Sequence, residues 1–386
     1  MLRPDPSLAP LPAPPASASS RTDWKRGLAM TVGFLAVGAG IGFVLGETDA
    51  LAFLDALPPL GLAATLLLGL PLVLAVHEAG HVAGGLAVGF RFGLFIAGPL
   101  RLEREGDRIV AKWNRSLALA GGIALCLPTD TEDLTRRTAW FVAGGPLASL
   151  ALGFAGLGVG LGVGGAVGAA TEFVGVVSFV IALVTLIPGR TGGFATDGAR
   201  LLTLLRGGPE AEREAAVLAL IAESTAGTRP RDWNPDTLQA AVALRDGRLF
   251  EESACQFLTL HALDSGQPSV AREALVRRVE LRDTVPATAR AGLPADAALF
   301  EGAIRRDADR ARAWTAAIPR KAALADPVAL ALADWAVALA SEDADGAHAA
   351  LSALRAAPHS PDGITAARLE WAGLSPEDDH DLPEAD

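Results

Sequence analysis

The chain is poor in the residues that build disulfide frameworks and basic binding surfaces. Its 386 residues include no tyrosine and two cysteines, and acidic side chains outnumber basic ones to give a net charge of -11. Cys126 and Cys255 are far apart and lack metal-ligand spacing, which argues against a disulfide scaffold and a cysteine-based metal site. A nucleic-acid partner would require a basic face, so the charge argues against that class of partner as well.

Apolar residues, in contrast, are abundant and unevenly spread. They make up 51% of the chain and concentrate between residues 27 and 190. We predict four helices that cross a lipid bilayer, at 27–45, 59–81, 139–163 and 172–188. A cleaved signal peptide is the alternative for the first, but its long polar lead-in and its length favour a retained helix.

Basic residues in the short loops predict the orientation of these helices. Arg21, Lys25 and Arg26 lie shortly before the first predicted span, none lies in the acidic loop 46–58, and eight lie between the second and third spans. Because basic loops stay in the cytoplasm, we predict a multi-pass protein of the cell membrane, the inner membrane of a bacterium, with both termini cytoplasmic.

The predicted fold class is an all-α multi-pass membrane protein with a small β-hairpin insertion, followed by a soluble all-α domain. The Pro/Ala-rich residues 1–23 are typical of a disordered tail, and 24–204 form the membrane-embedded domain. Amphipathic helices predict an α-helical cytoplasmic domain over 205–374, which resembles tetratricopeptide-type hairpins without their clean period. An acidic tail, 375–386, ends the chain.

Residues 91–128 are too polar to span a bilayer and too apolar for a plain linker. Within them, two short runs joined around Glu105, Gly106 and Asp107 predict a β-hairpin over 100–113. Such a hairpin could hold an extended peptide by strand pairing, or it could simply connect two helices.

The stretch "LPLVLAVHEAGHVAGGLAVGF" places His77, Glu78 and His81 within the second predicted span. Residues four apart share one face of a helix, so both imidazoles can bind one metal ion, and the glutamate can act as a general base. Ionisable groups within a membrane helix are costly unless they are paired or coordinated, which favours a metal site over histidines bonded to helix carbonyls. Small residues at Gly80, Gly84 and Gly85 predict close packing of a neighbouring helix.

A hydrolytic zinc site requires a third protein ligand. The segment "LIPGRTGGFATDG" at the end of the fourth predicted span places Asp197 at the same depth as the histidines. An N-cap of the following helix is the alternative role for Asp197.

The chain resembles the site-2 protease family of intramembrane zinc metalloproteases. Three blocks in order carry the resemblance: HEAGH in a membrane helix, "AGGPLASL" at 143–150, and "LIPGRTGGFATDG". The resemblance covers about residues 60–205 and implies Zn²⁺ as the cofactor, with His77, His81 and Asp197 as its ligands and Glu78 as the catalytic base. Ser149 and Thr185 depart from the family pattern, which commonly has asparagine at both positions.

The function implied is endopeptidase cleavage of a transmembrane protein substrate within the lipid bilayer, by zinc-activated water with Glu78 as general base. The main alternative is a catalytically silent membrane scaffold that binds partners through its helical domain. A metal transporter or sensor is a further alternative, but it would require more ionisable residues along the later spans, where Glu172 is almost alone.

Overall fold

A computed structural model describes residues 2–14, 52–106, 108–116, 121–191, 194–285, 292–320, 326–357 and 362–374. The predicted first span and the predicted acidic tail lie outside these residues. Within them, three helices are long and apolar enough to cross a membrane: α1 Pro59–Ala87, α2 Leu134–Val163 and α3 Gly165–Leu186.

These helices extend beyond the three predicted spans at one end each. The first of them continues six residues past the predicted end at 81, so His77 and His81 lie well inside a helix rather than at its end. The second begins at Leu134 instead of 139, and the third begins at Gly165 instead of 172. Polar and small residues at these ends lower the local hydropathy, yet they extend the backbone hydrogen bonding of each helix.

The surface of the three helices is apolar and their interior carries the polar groups. Leu60 is 83% exposed and Leu67 is 74% exposed, whereas His77, Glu78 and His81 are all buried. This distribution is opposite to that of a soluble protein and is typical of a bundle in lipid.

Glycines let the helices pack closely. Helix α2 packs antiparallel against α1, and a Cβ at Gly80 would collide with the carbonyl of Gly144. A Cβ at Gly84 would lie 2.6 Å from the carbonyl of Trp140, and one at Gly85 would lie 2.9 Å from the Cys126 side chain. The predicted role of these three α1 glycines in close packing is confirmed.

A four-stranded antiparallel sheet connects α1 to α2. Its strands are β1 Arg91–Ala97, β2 Leu100–Glu105, β3 Arg108–Trp113 and β4 Ile123–Leu127, in the order β3-β2-β1-β4. The predicted hairpin over 100–113 is confirmed, with Glu105 paired to Arg108 across its turn. The sheet is larger than the predicted insertion, because the apolar runs of β1 and β4 pair with each other beside α1.

A short hairpin and a helix follow α3. Strands β5 Arg190–Thr191 and β6 Phe194–Ala195 pair antiparallel and lead directly into α4, Asp197–Arg206. This segment brings the chain back against the three-helix bundle, where α4 contacts both α2 and α3.

The remainder is helical, as predicted. Its main helices are α5 Pro209–Thr225, α6 Pro235–Val242, α7 Leu249–Asp264, α8 Pro268–Leu281, α9 Leu293–Leu299, α10 Ala308–Ala316, α11 Pro327–Ala340, α12 Ala344–Ala356 and α13 Gly363–Trp371. Helices α7 and α8, and likewise α11 and α12, pack together across short connections. The likeness to tetratricopeptide hairpins stays a prediction.

The structure corrects one prediction about the N terminus. Residues 2–14, which were predicted to be part of a disordered tail, lie against the helical domain, and Leu11 is 1% exposed within its core. The rest of the predicted tail, 15–23, lies outside the described residues. The Pro/Ala-rich composition is typical of disorder, but the hydrogen bonds between this segment and the helical domain are made by its main chain, which composition does not reveal.

Candidate metal centre

His77 and His81 occupy one face of α1, as the spacing predicts. Their ring centroids are 4.9 Å apart and the rings are perpendicular to each other. Both side chains are buried against α2, which leaves their ring nitrogens in contact with protein groups rather than lipid.

Helix α2 orients both rings through their Nδ1 atoms. His81 Nδ1 lies 3.0 Å from the carbonyl of Phe141 and 3.3 Å from the Gly145 amide, which donates to it, and Nδ1 of His77 lies 2.9 Å from the Ser149 hydroxyl. Both Nδ1 atoms are thus in contact with α2, which leaves each Nε2 facing Asp197 as the potential ligand atom. Gly145 makes room for the His81 ring, because a Cβ there would collide with it.

Asp197 approaches the two histidines from the start of α4. Thr196 caps α4 by accepting a hydrogen bond from the Ala199 amide, and its hydroxyl also donates to the Ile187 carbonyl at 2.8 Å. Asp197 is therefore the first helical residue and not the N-cap, which makes that alternative prediction wrong. Gly198 permits the close approach of α4 to the end of α3, where a Cβ would overlap the Leu186 carbonyl.

The three side chains converge as a ligand set would. Asp197 Oδ2 lies 3.2 Å from His77 Nε2, and Asp197 Oδ1 lies 3.5 Å from His81 Nε2. The potential ligand atoms all lie within 4.8 Å of one another. Bonds of about 2.0–2.2 Å in a tetrahedral zinc site imply separations of roughly 3.3 Å between ligand atoms. Two nitrogen donors and one carboxylate at this spacing therefore suit zinc.

The electrostatics of the cluster are those of an ionised carboxylate beside two imidazoles. Burial alone would favour the neutral acid, but hydrogen bonds and charge interactions with His77 and His81 hold the pKa of Asp197 well below its usual range. A neutral His81 with its proton on Nδ1 would direct the Nε2 lone pair at this carboxylate, which is repulsive. A cation between them, or a second proton on the ring, removes the repulsion.

Glu78 lies beside the cluster and faces the sheet. It is buried on α1 next to the first histidine, and its carboxylate lies against Gly122 at the start of β4. Gly122 has φ of +108°, and a Cβ there would overlap the Glu78 carboxylate, so both conformation and space require glycine. The backbone that leads into β4 is thus in close contact with the side chain of the predicted catalytic base.

The two departures from the resemblance have different surroundings. Ser149 bonds to His77 and is fully buried, so it holds a ligand of the predicted site. The Thr185 hydroxyl instead lies 3.4 Å from the Ala182 carbonyl one turn earlier in α3. Sequence reasoning missed the roles of the Phe141 carbonyl and of Gly145, since neither carries a distinctive side chain.

The helical domain contacts the element that carries Asp197. Arg200, one turn along α4, donates to Glu214 of α5 at 2.6 Å, and Glu214 is buried. The same guanidinium lies 5.8 Å from the centre of the Phe141 ring. Helix α5 also packs directly against α2, so the helical domain contacts two elements that line the cluster.

Comparison with protein-family models, with curated proteins and with solved structures found no match to this chain.

Proposed function

We propose that this protein is an intramembrane zinc metalloendopeptidase that cleaves membrane-embedded proteins. The single observation that carries the proposal is the convergence of His77, His81 and Asp197, next to a buried glutamate, inside a helix bundle with an apolar exterior. A structural role alone would not require three ionisable groups to face one another away from lipid.

The ligands of the zinc ion would be His77 Nε2, His81 Nε2 and an oxygen of Asp197, with Ser149 and the Phe141 carbonyl keeping the two rings in place. Zinc with three protein ligands and an open position acidifies water and polarises a carbonyl.

Glu78 would act as the general base, since it is buried on α1 directly next to His77. Its carboxylate removes a proton from water beside the ligand set and delivers it to the nitrogen of the leaving amine. The same carboxyl group serves both proton transfers, so its replacement by an amide abolishes hydrolysis while leaving the ligand set intact.

The sheet offers a way to hold the substrate extended. In the hairpin over 100–113, which is predicted for this role, strand β2 is paired on both sides by β1 and β3, whereas β3 is an edge strand among the described residues. Strand β4 is an edge strand among the described residues, and Gly122, the residue directly before it, lies beside Glu78. An unwound substrate segment that pairs with β4 would place its carbonyls next to the base.

The test compares wild type with Glu78→Gln for the accumulation of uncleaved membrane proteins in the source cell, with the zinc content of each purified protein measured in parallel. Glu172→Gln is the matched control, since it removes a carboxylate of α3 that lies outside the cluster. We expect both variants to bind zinc and only Glu78→Gln to accumulate substrate. Bound zinc without any difference in substrate would favour the silent scaffold.

A further inference from the structure

Residues 2–14 lie in a groove of the helical domain, with a turn at Asp5–Leu8 and no regular secondary structure over residues 9–14. Leu11 is buried in the hydrophobic core of that domain, and Leu2 and Leu8 pack against it partly buried. The Asp5 amide donates to the carbonyl of Ile304 at 2.9 Å. The segment thus docks at several points along its length, far in sequence from the helices that hold it.

Arginines of the helical domain bind the main chain of this segment. They donate to four successive carbonyl oxygens. The pairs are Arg305 with Leu8, Arg272 with Ala9 and Pro10, and Arg310 with Leu11. Such an array recognises the main chain of the segment, and the buried side chain of Leu11 adds selectivity for sequence.

A buried carboxylate completes the groove. Glu301, which is 0% exposed, accepts a hydrogen bond from the Leu11 amide at 2.7 Å. It also accepts from Arg305 and Arg310, two of the arginines that hold the segment. Glu301 lies on a π-helical turn, Phe300–Ile304, an irregularity that often occurs at functional sites.

The sequence of the segment suits this groove. Pro10 and Pro12 flank Leu11 and have no N–H group, so between them the Leu11 amide is the one main-chain donor. Their fixed φ angles also favour an extended chain before binding, which lowers the entropy lost on docking. A leucine between two prolines therefore supplies one apolar anchor, one donor and a row of acceptors.

We propose that this groove is a peptide-recognition site whose ligand is the chain's own residues 5–12, bound in cis as a detachable latch. The chemical class of ligand is a peptide with leucine between two prolines, recognised through its carbonyls, one amide and the leucine side chain. The latch ties the N terminus of the chain to the helical domain, which follows the membrane helices. It does not depend on the proposed protease activity.

The first experiment uses a variant of the full chain that lacks residues 2–14, and a fluorescent synthetic peptide of residues 2–14 as the probe. Fluorescence anisotropy should show saturable binding to this variant and much weaker binding to the full chain, whose groove is occupied. A peptide with Leu11→Ala should bind at least about tenfold more weakly, because the buried leucine is the anchor. Equal binding of the two peptides, or equal binding to both proteins, would overturn the proposal.

The second experiment keeps the full chain and remains informative when the deletion variant does not fold. The Leu11 amide should exchange with solvent deuterium much more slowly than in the free peptide, since it is bonded to Glu301. Arg272→Ala should accelerate this exchange. Arg312→Ala, the matched control, removes an exposed arginine that pairs with Asp309 and should leave the exchange unchanged. Exchange of Leu11 at the free-peptide rate in the unaltered chain would refute the latch.

Discussion

Replacing Ser149 with alanine tests whether α2 holds the ring of His77. The hydroxyl lies 2.9 Å from His77 Nδ1 and is fully buried, so no water can take its place without repacking. Removing one partner from a buried hydrogen bond costs about 1–3 kcal/mol. Groups that orient metal ligands typically change metal affinity by about 10- to 100-fold, which agrees with that cost.

The assay is a zinc titration against a chelator of known affinity, on wild type, Ser149→Ala and Ser178→Ala. The last variant is the matched control, because the Ser178 hydroxyl is equally buried and has no hydrogen-bond partner among the described residues. We expect the affinity for zinc to fall by about 10- to 100-fold in Ser149→Ala alone. Equal affinities in the two serine variants would show that the bond to His77 does not support the ligand set.

Two further predictions concern packing and topology. Gly80→Ala should destabilise the protein by about 1–3 kcal/mol and lower its melting temperature, since the new Cβ meets the α2 backbone. The control is Gly158→Ala, whose new Cβ meets nothing within 4 Å and should leave the melting temperature unchanged. Equal melting temperatures would contradict the close helix contact. Cysteines introduced at the exposed positions Ser7 and Ser352 should react with an impermeant maleimide added to one side of the membrane, and a cysteine at the exposed position Ala166 should react from the other side. Both native cysteines are buried and should give little background labelling. Labelling of Ser7→Cys and Ser352→Cys from opposite sides would contradict either the docking of residues 2–14 on the helical domain or the predicted topology.

The sequence contains most of the information needed for the cluster. The H-E-x-x-H spacing predicts that His77 and His81 share a face, and the break at Pro188 predicts that the chain returns toward them with Asp197. The sequence does not predict that the Asp197 side chain is released from helix capping and can therefore face the histidines. That depends on Thr196 serving as the cap, a choice between two neighbouring residues that both favour the position.

Composition was least informative at the N terminus and in the sheet. Proline and alanine in residues 2–14 are typical of disorder, yet the segment is held through carbonyl oxygens, which every residue has. The strands β1 and β4 are too short and too apolar to separate from a helix by periodicity alone. Only the pairing between them, which joins residues far apart in sequence, reveals the complete sheet.

The most direct test of the central claim is the zinc content of the purified protein and of Asp197→Ala, measured by elemental analysis after equilibration with a weak chelator. Glu78→Gln serves as the control that changes a neighbouring carboxylate without removing a ligand. We predict about one zinc ion per chain in wild type and in Glu78→Gln, and little in Asp197→Ala, because two histidines alone leave the site one ligand short. Full zinc content in Asp197→Ala, or no zinc in wild type, would contradict the three-ligand site.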